Sequence, residues 1–520
     1  MITAQDLLDA GWCEGPEIGQ ALDRARQYQE RGINDPKYLL KLLARDVPKA
    51  KTKLTARDQP APLGEAIAAT CEEDEVNIGN VRRLMDQLLR MPRITRGALM
   101  PDACPAGNAP AAIPVGGAIA VENAIMPSAH SADICCSMHA TFFRCGIALS
   151  EMLDDLVAST RFGFGGRKPD DLVHHPVVDE EVWGNRFLSG LDQHARIHIA
   201  DQGDGNHFAF IGKVEFSGTA IAQLEAGGHS ALAAALRAAS VDGERFESLA
   251  LVTHHGSRGL GAQVYKRGQN AAIKHTMKIA EAIPKAAVWL DYDTPEGEAY
   301  WEALQYVARW TKANHESIHA RFLERTGTSE IASFGNEHNF VWKRGDIFMH
   351  GKGATPAWRD GGGSPLLGLI PLNMAAPILI TLGADNEDYL SFCPHGAGRN
   401  RSRRATLRQF PDPQDARAAL AESTRGIEAR WFFGKPDLSE SPLGYKPADQ
   451  VRAQIAEFGL ADVIAEIAPL GSLMAGDSGT PAWIRRKQED LTPKQRRQIQ
   501  HRAERRKNRQ RMKGRDWEDE

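Results

Sequence analysis

Apolar residues at helical spacing dominate the first part of the chain. Ala21, Ala25 and Tyr28 recur at intervals of three and four positions, which places them on one face of an α-helix. Proline and glycine residues divide the stretch into short pieces, as they do between helices. The pattern predicts short amphipathic helices that form a small appendage over residues 1–75. It also predicts a further helix over residues 75–97.

The pattern changes from about residue 97 onward, where short β-rich runs alternate with glycine-rich turns and longer helices. We find neither an internal repeat nor a Gly/Ser-rich linker in this part of the sequence. Such an alternation predicts an α+β fold, organised as a single large domain over residues 76–478. The expected strands include Ile113–Ala120, Ala140–Phe143, Leu249–Thr253, Asn339–Trp342 and Ile347–Met349, and the expected long helix is Ala299–Leu323.

A basic and polar segment closes the chain. Arg, Lys and Gln crowd the stretch from Ile484 to Arg515, which has almost no apolar residue, and an acidic end follows it. A segment of this composition cannot bury enough apolar surface to fold alone. Residues 479–520 are therefore expected to be a basic tail, either disordered or helical when it binds a polyanion.

Composition and charge narrow the class of protein. The 520 residues are 42% hydrophobic and 25% charged, and 63 Lys+Arg against 67 Asp+Glu give a net charge of -4. Because the overall charge does not favour binding to nucleic acid, any basic surface that binds it must be local. The seven scattered cysteines argue against a disulfide framework. The sequence lacks a signal-peptide pattern and an apolar run long enough to cross a bilayer, so we expect a cytoplasmic protein without membrane association.

The Asp, Cys and His residues that could bind metal lie in glycine-rich segments and not inside the predicted helices. Carboxylate, thiolate and imidazole together suit Mn, Zn or Fe better than Mg, and a bridging thiolate can hold two ions close together. The alternative is that Cys136 and the cysteine before it are buried small hydrophobic residues. The residues that offer these ligand types are Asp133, Cys136, His207, the paired His254 and His255, and His338.

Several of these glycine-rich segments could also bind phosphate. Lys352 follows an expected strand, Arg258 lies in a Ser-Arg-Gly loop, and His395 heads a glycine turn that leads into Arg399 and Arg403. Such loops let the main chain approach phosphate closely, while arginine makes bidentate contacts. An accessible imidazole near these charges suits nucleophilic attack on phosphorus. The alternative is a histidine that only donates a hydrogen bond to a substrate phosphate.

In their order along the chain, these segments resemble the RtcB family of RNA-splicing ligases. The resemblance extends from about Leu99 to Gly476. A single matching motif would mean little, whereas the ordered set is highly specific. The motifs are Pro101-Asp102, Ala132–Cys136, Gly205–Phe208, His254–Gly261, His338-Asn339, Lys352–Thr355, His395–Arg403 and Tyr445-Lys446.

The resemblance implies an RtcB-like catalytic domain that joins RNA with a 2′,3′-cyclic phosphate or 3′-phosphate end to RNA with a 5′-hydroxyl end, in RNA repair or tRNA splicing. It makes His395 the nucleophile that attacks the α-phosphate of GTP, with two Mn²⁺ ions as cofactors. The implied metal ligands are Asp133, Cys136, His207, His254 and His338. The residues implied to bind the nucleotide or RNA phosphates are Asn206, Asn339, Arg258, Lys352, Arg399 and Arg403, with Tyr445 against the base.

The chain departs from the family pattern at positions expected to recognise guanine. Phe210 stands where the family has a carboxylate, and Ala475 stands where it has a terminal lysine. The family's Pro-Gly-Ser-Met loop reads Pro-Leu-Asn-Met here, over residues 371–374. Losing a hydrogen-bonding pair at a base costs about 1–3 kcal/mol of discrimination. The sequence is therefore that of a divergent paralogue, and a nucleoside triphosphate other than GTP stays open.

Two other functions remain compatible with the sequence. The same metal pair could serve a phosphoesterase that acts on RNA ends without a covalent nucleotide. A paralogue that binds RNA but no longer ligates is the second alternative. For the basic tail, we expect an arm that contacts RNA phosphates in a salt-dependent way. Removing the residues after Gly476 should then weaken RNA binding at low salt and leave nucleotide transfer to His395 intact.

Overall fold

A computed structural model describes residues 2–12, 15–47, 53–163, 165–240 and 242–477. The expected basic tail over residues 479–520 lies outside the described residues. The helices are α1 (Ala4–Asp9), α2 (Pro16–Glu30), α3 (Pro36–Asp46), α4 (Glu72–Leu89), α5 (Leu149–Ser159), α6 (Asp192–Ile197), α7 (Gly218–Ala226), α8 (Ser230–Ala239), α9 (Arg258–Ile279), α10 (Pro295–Thr326), α11 (Arg403–Gln409), α12 (Pro413–Ser423) and α13 (Ala448–Glu457).

The strands form two main sheets. One has five strands in the order β1-β2-β3-β11-β10, and the other has eight, with β16 beside β17 in the order β13-β14-β17-β6-β7-β5-β9. Two short pairs, β4-β8 and β12-β15, complete the set. The strands are β1 (Leu63–Glu65), β2 (Ile94–Cys104), β3 (Val115–Glu122), β4 (Ala124–Ile125), β5 (Ser137–Phe143), β6 (Phe208–Phe216), β7 (Phe246–His255), β8 (Leu290–Asp291), β9 (Glu330–Glu337), β10 (Asn339–Arg344), β11 (Ile347–Lys352), β12 (Ala354–Pro356), β13 (Leu367–Pro371), β14 (Ile378–Gly383), β15 (Phe392–Pro394), β16 (Glu428–Trp431) and β17 (Ala461–Met474).

The fold is α+β, as the alternating pattern predicts, and each expected strand is present with shifts of a few residues at its ends. The helix expected over residues 75–97 is shorter than predicted, since α4 ends at Leu89. The chain then turns and enters β2 at Ile94. Pro92, which has no backbone N–H, follows shortly after the helix end and cannot continue a helix.

The N-terminal helices α1 to α3 have a hydrophobic core of their own, in which Leu7, Ala21 and Leu39 are fully buried. This confirms that the helical spacing marks faces that pack together. The predicted appendage extended to residue 75, but β1 pairs in parallel with β2. Leu63–Glu65 is therefore part of the five-stranded sheet, which the sequence pattern had left in the appendage.

The eight-stranded sheet is covered on both faces. Phe142 and Phe210 pack with helices α7 and α8 on one face, while Phe143 and Leu251 pack with α5 and α10 on the other. This alternation follows from the two-residue period of a strand. Alternate side chains of β5, β6 and β7 therefore face different surroundings, which decides which of their histidines can form a site.

Helix α10 is the longest element, with 32 residues, and it lies against the second face of the sheet. Its start is fixed by Thr294, whose side chain accepts a hydrogen bond from the N–H of Gly297, and by Pro295 in the first turn. Its end is fixed by Gly327, with a φ of 64°, a conformation that glycine adopts without steric cost. No helix among the described residues is both long and apolar enough to cross a bilayer.

Candidate metal and nucleotide site

A tight turn before β5 brings a carboxylate and a thiol together. The N–H of Cys136 donates to the carbonyl of Asp133 at 3.3 Å, and Cys135 between them has a φ of 58°. Few residues other than glycine adopt such a φ. Here the N–H of Cys135 donates to the carbonyl of Asn339 at 2.7 Å, which connects the turn to the start of β10 in the five-stranded sheet. Strained backbone of this kind is common at functional sites.

The adjacent strands bring the histidines to the same place. His207 lies immediately before β6, and His254 is the penultimate residue of β7, where it is paired with Phe208 and Met138. His338 lies between β9 and β10, and its N–H donates to the carbonyl of Cys136 at 2.9 Å. The starts of β5 and β6 and the ends of β7 and β9 therefore meet at one edge of the sheet.

The side-chain atoms of these residues converge on the sulfur of Cys136. Its Sγ lies 3.2 Å from Nε2 of His254 and 3.6 Å from Nε2 of His207. Nε2 of His254 is 3.1 Å from Nε2 of His338, and Nε2 of His207 is 3.0 Å from Oδ2 of Asp133. Two groups of possible ligands result, Cys136 with His254 and His338, and Cys136 with Asp133 and His207. Cys136 belongs to both.

The protonation of these groups fits a site for transition-metal ions. Burial lowers the pKa of His254 to about 3, so its imidazole is neutral, the form that binds metal. Its Nδ1 contacts the carbonyl of Asn206 at 3.2 Å, which leaves the Nε2 lone pair directed at the cluster. Burial, followed by the charge of Asp133, raises the pKa of the Cys136 thiol well above its usual value. A cation beside the sulfur would reverse that shift and stabilise the thiolate.

His395 lies next to this cluster and is held by a buried carboxylate. Its ring is 4.9 Å from that of His338. Its Nδ1 lies 2.5 Å from Oδ2 of Asp102, which also accepts a hydrogen bond from the His395 backbone N–H at 3.3 Å. Asp102 is completely buried, while 18% of the His395 side chain is exposed. The carboxylate therefore keeps the proton on Nδ1 and leaves Nε2 of His395 with its lone pair.

A cavity of about 320 Å³ opens over these groups. Lys352 donates from Nζ to the carbonyl of Ile113 at 3.1 Å, and burial lowers its pKa to about 8. Asn339 accepts the N–H of Gly353 at 2.7 Å, so its amide fixes the loop that follows Lys352. The predicted site residues that line the cavity are Asp133, Cys136, Asn206, His254, His338, Asn339, Lys352, His395, Arg399, Arg403 and Tyr445.

A carboxylate that the sequence did not indicate organises the arginines. Glu440 is 4% exposed and accepts a hydrogen bond from the Tyr445 hydroxyl at 3.0 Å. It also pairs with Arg403 and, at 3.4 Å, with Nη1 of Arg399. The Arg399 guanidinium lies 4.7 Å from the centre of the Tyr445 ring. Glu440 therefore holds two guanidinium groups and an aromatic ring in fixed positions at the rim of the cavity.

Arg258 takes a different position from the other predicted phosphate-binding residues. It begins α9 with a φ of 54°, and its Nη2 donates to the carbonyl of Gly163 at 3.4 Å. Its Nε lies 4.0 Å from the completely buried carboxylate of Asp201. Arg258 is not among the residues that line the cavity, so its role toward phosphate stays a prediction.

Comparisons with known proteins find matches in a single family. The sequence model of the family described as "tRNA-splicing ligase RtcB" matches residues 185–475, more than half of the chain. The chain is 29% identical over 255 residues to the tRNA-splicing ligase RtcB of Pyrococcus abyssi, which covers 42% of this chain and 27% of that protein. The tRNA-splicing ligase RtcB of Thermococcus kodakarensis is 28% identical over 252 residues, which cover 42% of this chain and 51% of that protein.

A bacterial relative shows the same level of similarity. The RNA-splicing ligase RtcB of Mycobacterium tuberculosis is 28% identical over 247 residues, which cover 43% of this chain and 56% of that protein. The chain thus spans between about a quarter and just over a half of the length of these relatives. The matched region contains His207, His254, His338 and His395, and the chain belongs to the RtcB family.

Proposed function

We propose that this protein is a metal-dependent RNA ligase that joins a 2′,3′-cyclic phosphate or 3′-phosphate end to a 5′-hydroxyl end through a nucleotide carried on His395. The observation that carries the proposal is the position of the His395 ring. It lies beside the group formed by Asp133, Cys136, His207, His254 and His338, which we call the Cys136 cluster, and its Nδ1 is held by Asp102. The RtcB membership of the chain and the names of its relatives support RNA as the substrate.

The first step in this proposal is attack by Nε2 of His395 on the α-phosphorus of a nucleoside triphosphate. A P–N bond forms, the bond to the bridging oxygen of the β-phosphate breaks, and pyrophosphate leaves. Asp102 accepts a hydrogen bond from the Nδ1 proton and stabilises the positive charge that develops on the ring. Lys352 lines the same cavity and places positive charge near the phosphates.

Two Mn²⁺ ions held by the two ligand groups that share Cys136 would neutralise the phosphate charges at each displacement. Asp133 and His207 would hold one ion, and His254 and His338 the other. The donor set, with one shared sulfur, three imidazoles and a carboxylate, fits Mn²⁺ and related ions better than Mg²⁺.

The later steps transfer the nucleotide to RNA. Water opens the cyclic phosphate to a 3′-phosphate, whose oxygen attacks the nucleotide phosphorus and displaces the imidazole of His395. The 5′-hydroxyl oxygen then attacks the phosphorus of the activated 3′ end, and the nucleoside monophosphate leaves. Arg399 and Arg403, fixed by Glu440 at the rim, are suited to bind the RNA phosphates because guanidinium groups make bidentate contacts with phosphate.

A sealing assay tests this proposal against the alternatives. The wild-type protein would be incubated with Mn²⁺, a nucleoside triphosphate and two RNA fragments that carry a 2′,3′-cyclic phosphate and a 5′-hydroxyl. A ligase gives a longer RNA, and the His395→Ala variant gives none, while the exposed His174→Ala control retains activity. Opening of the cyclic phosphate without a joined product would indicate a phosphoesterase. RNA binding without either reaction would indicate a paralogue that no longer ligates.

A further inference from the structure

The cavity is lined by two kinds of side chain. The Cys136 cluster, Lys352 and His395 are polar, whereas an apolar group consists of Phe208, Phe210, Met374, Ile378 and Met474. We call this group the apolar end of the cavity, because strand register brings its members on β6 and β17 together. Phe208 is paired with His254 on β7 and with Met474 on β17, so these three side chains form one row across the sheet.

The next row of paired side chains on this face is two residues farther along β6 and lies farther from the Cys136 cluster. Phe210 is paired with Ser472 on β17 and is 2% exposed. Met374 and Ile378 complete this end of the cavity, and both are buried. A planar, apolar group would therefore be enclosed here, next to the place where charged phosphates would be neutralised.

This division determines how a nucleoside triphosphate would lie. Its phosphates carry charge and belong with Lys352 and the metal ligands, within reach of His395. Its base has apolar faces that gain from packing against aromatic and aliphatic side chains. The base therefore belongs at the apolar end, against Phe208 and Phe210, with its polar edge directed at the groups that line that end.

Few polar groups are available there to recognise the edge of a base. The Ser472 hydroxyl is buried and has no hydrogen-bond partner within the described chain, and it lines the cavity. The side-chain oxygen of Asn373 already accepts the N–H of Ala375 at 2.9 Å. The carboxylates that line the cavity are Asp133 and Glu440. Asp133 belongs to the Cys136 cluster, and Glu440 is paired with Arg399 and Arg403.

We propose that the base subsite of this chain selects adenine over guanine, an inference that rests on the proposed nucleotide transfer. Guanine presents an N–H and an amino group side by side, and the single Ser472 hydroxyl can accept only part of this set. Adenine presents one amino group beside a ring nitrogen, and a hydroxyl can donate to the nitrogen or accept from the amino group. The aromatic ring of Phe210 offers guanine no acceptor.

The size of the preference follows from the hydrogen bonds left unmade. A buried donor without a partner weakens binding. We therefore expect ATP to bind at least about tenfold more tightly than GTP, the equivalent of about 1.4 kcal/mol. The preference should be present in binding as well as in reaction, because it arises in the base subsite and not at the phosphates.

Binding and labelling together test this inference. The Mn²⁺-loaded protein would be titrated calorimetrically with α,β-methylene ATP and α,β-methylene GTP, which cannot transfer the nucleotide. It would then be incubated with ATP or GTP labelled at the α-phosphate. We expect the ATP analogue to bind at least about tenfold more tightly and ATP to label the protein more efficiently. Equal affinities, or tighter binding of the GTP analogue, would overturn the inference.

Variants of two residues sharpen the test. Phe210→Glu supplies a carboxylate and should move the preference toward the GTP analogue, whereas Phe210→Gln, of matched size and uncharged, should move it less. Ser472→Ala should weaken binding of the ATP analogue by several-fold and affect binding of the GTP analogue less. Because it is a small change, this variant still tests the inference if the Phe210 variants do not fold.

The outcomes separate this inference from the proposed function. If GTP labels the protein more efficiently than ATP, the adenine preference is wrong and the ligase proposal stands. If the ATP analogue binds more tightly but neither nucleotide labels the protein, the preference stands and the nucleotide-transfer mechanism is wrong. If neither analogue binds, both are wrong.

Discussion

Strands β5 and β7 carry histidines on both faces of the large sheet, and the two faces differ in what surrounds the imidazoles. On the cavity face, Nε2 of His254 lies 3.2 Å from the sulfur of Cys136. On the opposite face, His139 and His255 pack against His315 and His319 of α10. We call these last four residues the back cluster. Histidine alone therefore does not identify a metal site.

The partners of the rings explain the difference. In the back cluster, the Thr253 hydroxyl lies 2.6 Å from Nδ1 of His315 and 2.8 Å from Nε2 of His319. Ser137 contacts the other ring nitrogen of His315 at 3.0 Å. Hydroxyl groups can both donate and accept, so they satisfy neutral imidazoles without an ion. In the part of the chain that the structure describes, groups with metal-ligand geometry occur only on the cavity face.

The largest expected effect comes from removing the ligand that both groups share. Cys136→Ala should reduce Mn²⁺ affinity by at least about 100-fold, because each ion loses a ligand, and a lost outer-shell partner alone typically costs 10–100-fold. Ser137→Ala, the adjacent change on the opposite face, should leave the bound Mn²⁺ unchanged. Metal analysis after dialysis measures both. Equal metal content in the two variants would refute the assignment of Cys136.

Removing the carboxylate that holds His395 should have a smaller effect. Asp102→Asn keeps the size of the side chain but can donate from its amide to Nδ1, which favours the unreactive tautomer of the ring. We expect nucleotide transfer to slow by about 10–100-fold with the metal content unchanged. Single-turnover labelling measures the rate. An unaltered rate would mean that Asp102 does not position His395.

The back cluster should make the fold sensitive to acid. Burial lowers the pKa of His139 to about 4 and the pKa values of His315 and His319 well below their usual value. A histidine whose pKa is lower in the folded state than in the unfolded chain contributes stability above about pH 6.5, and the contribution is lost as the pH falls. Each such histidine should therefore lower the unfolding free energy by about 1.4 kcal/mol per pH unit below that value.

Urea unfolding in the presence of a chelator, between about pH 7 and pH 5, measures this slope without a contribution from metal release. His139→Asn removes one of the titrating groups, so the slope should become shallower by about 1.4 kcal/mol per pH unit. A slope that is the same in the variant and the wild type would show that His139 does not titrate with folding.

The sequence indicated much of the site, because its residues lie at or near strand ends, and some of them, such as Asn206, Lys352 and His395, stand beside glycines. His254 is paired with Phe208 and Met138 on the neighbouring strands, and such pairing brings strand ends together once the sheet forms. The residue pattern alone did not distinguish His254 from His255, although strand alternation places adjacent residues on opposite faces, and the choice of His254 came from the family resemblance. The decisive information is which face has the thiol, and that depends on the order of strands in the sheet.

Two carboxylates were missed as functional groups for a related reason. Asp102 is 293 positions from His395, and Glu440 is separated by 37 positions or more from the arginines it binds. Neither separation follows a local periodicity, so only the tertiary fold brings the partners together. Asp102 did lie in a quoted family motif, which could have singled it out. Glu440 had no comparable signal in its surroundings.

The most direct test of the account is the site of nucleotide attachment. The protein would be incubated with Mn²⁺ and ATP or GTP, digested at neutral or basic pH to preserve a phosphorus–nitrogen bond, and mapped by mass spectrometry. We expect a nucleoside monophosphate on the peptide that contains His395 and none in the His395→Ala variant. A nucleotide attached to another residue, or its persistence in that variant, would contradict the account.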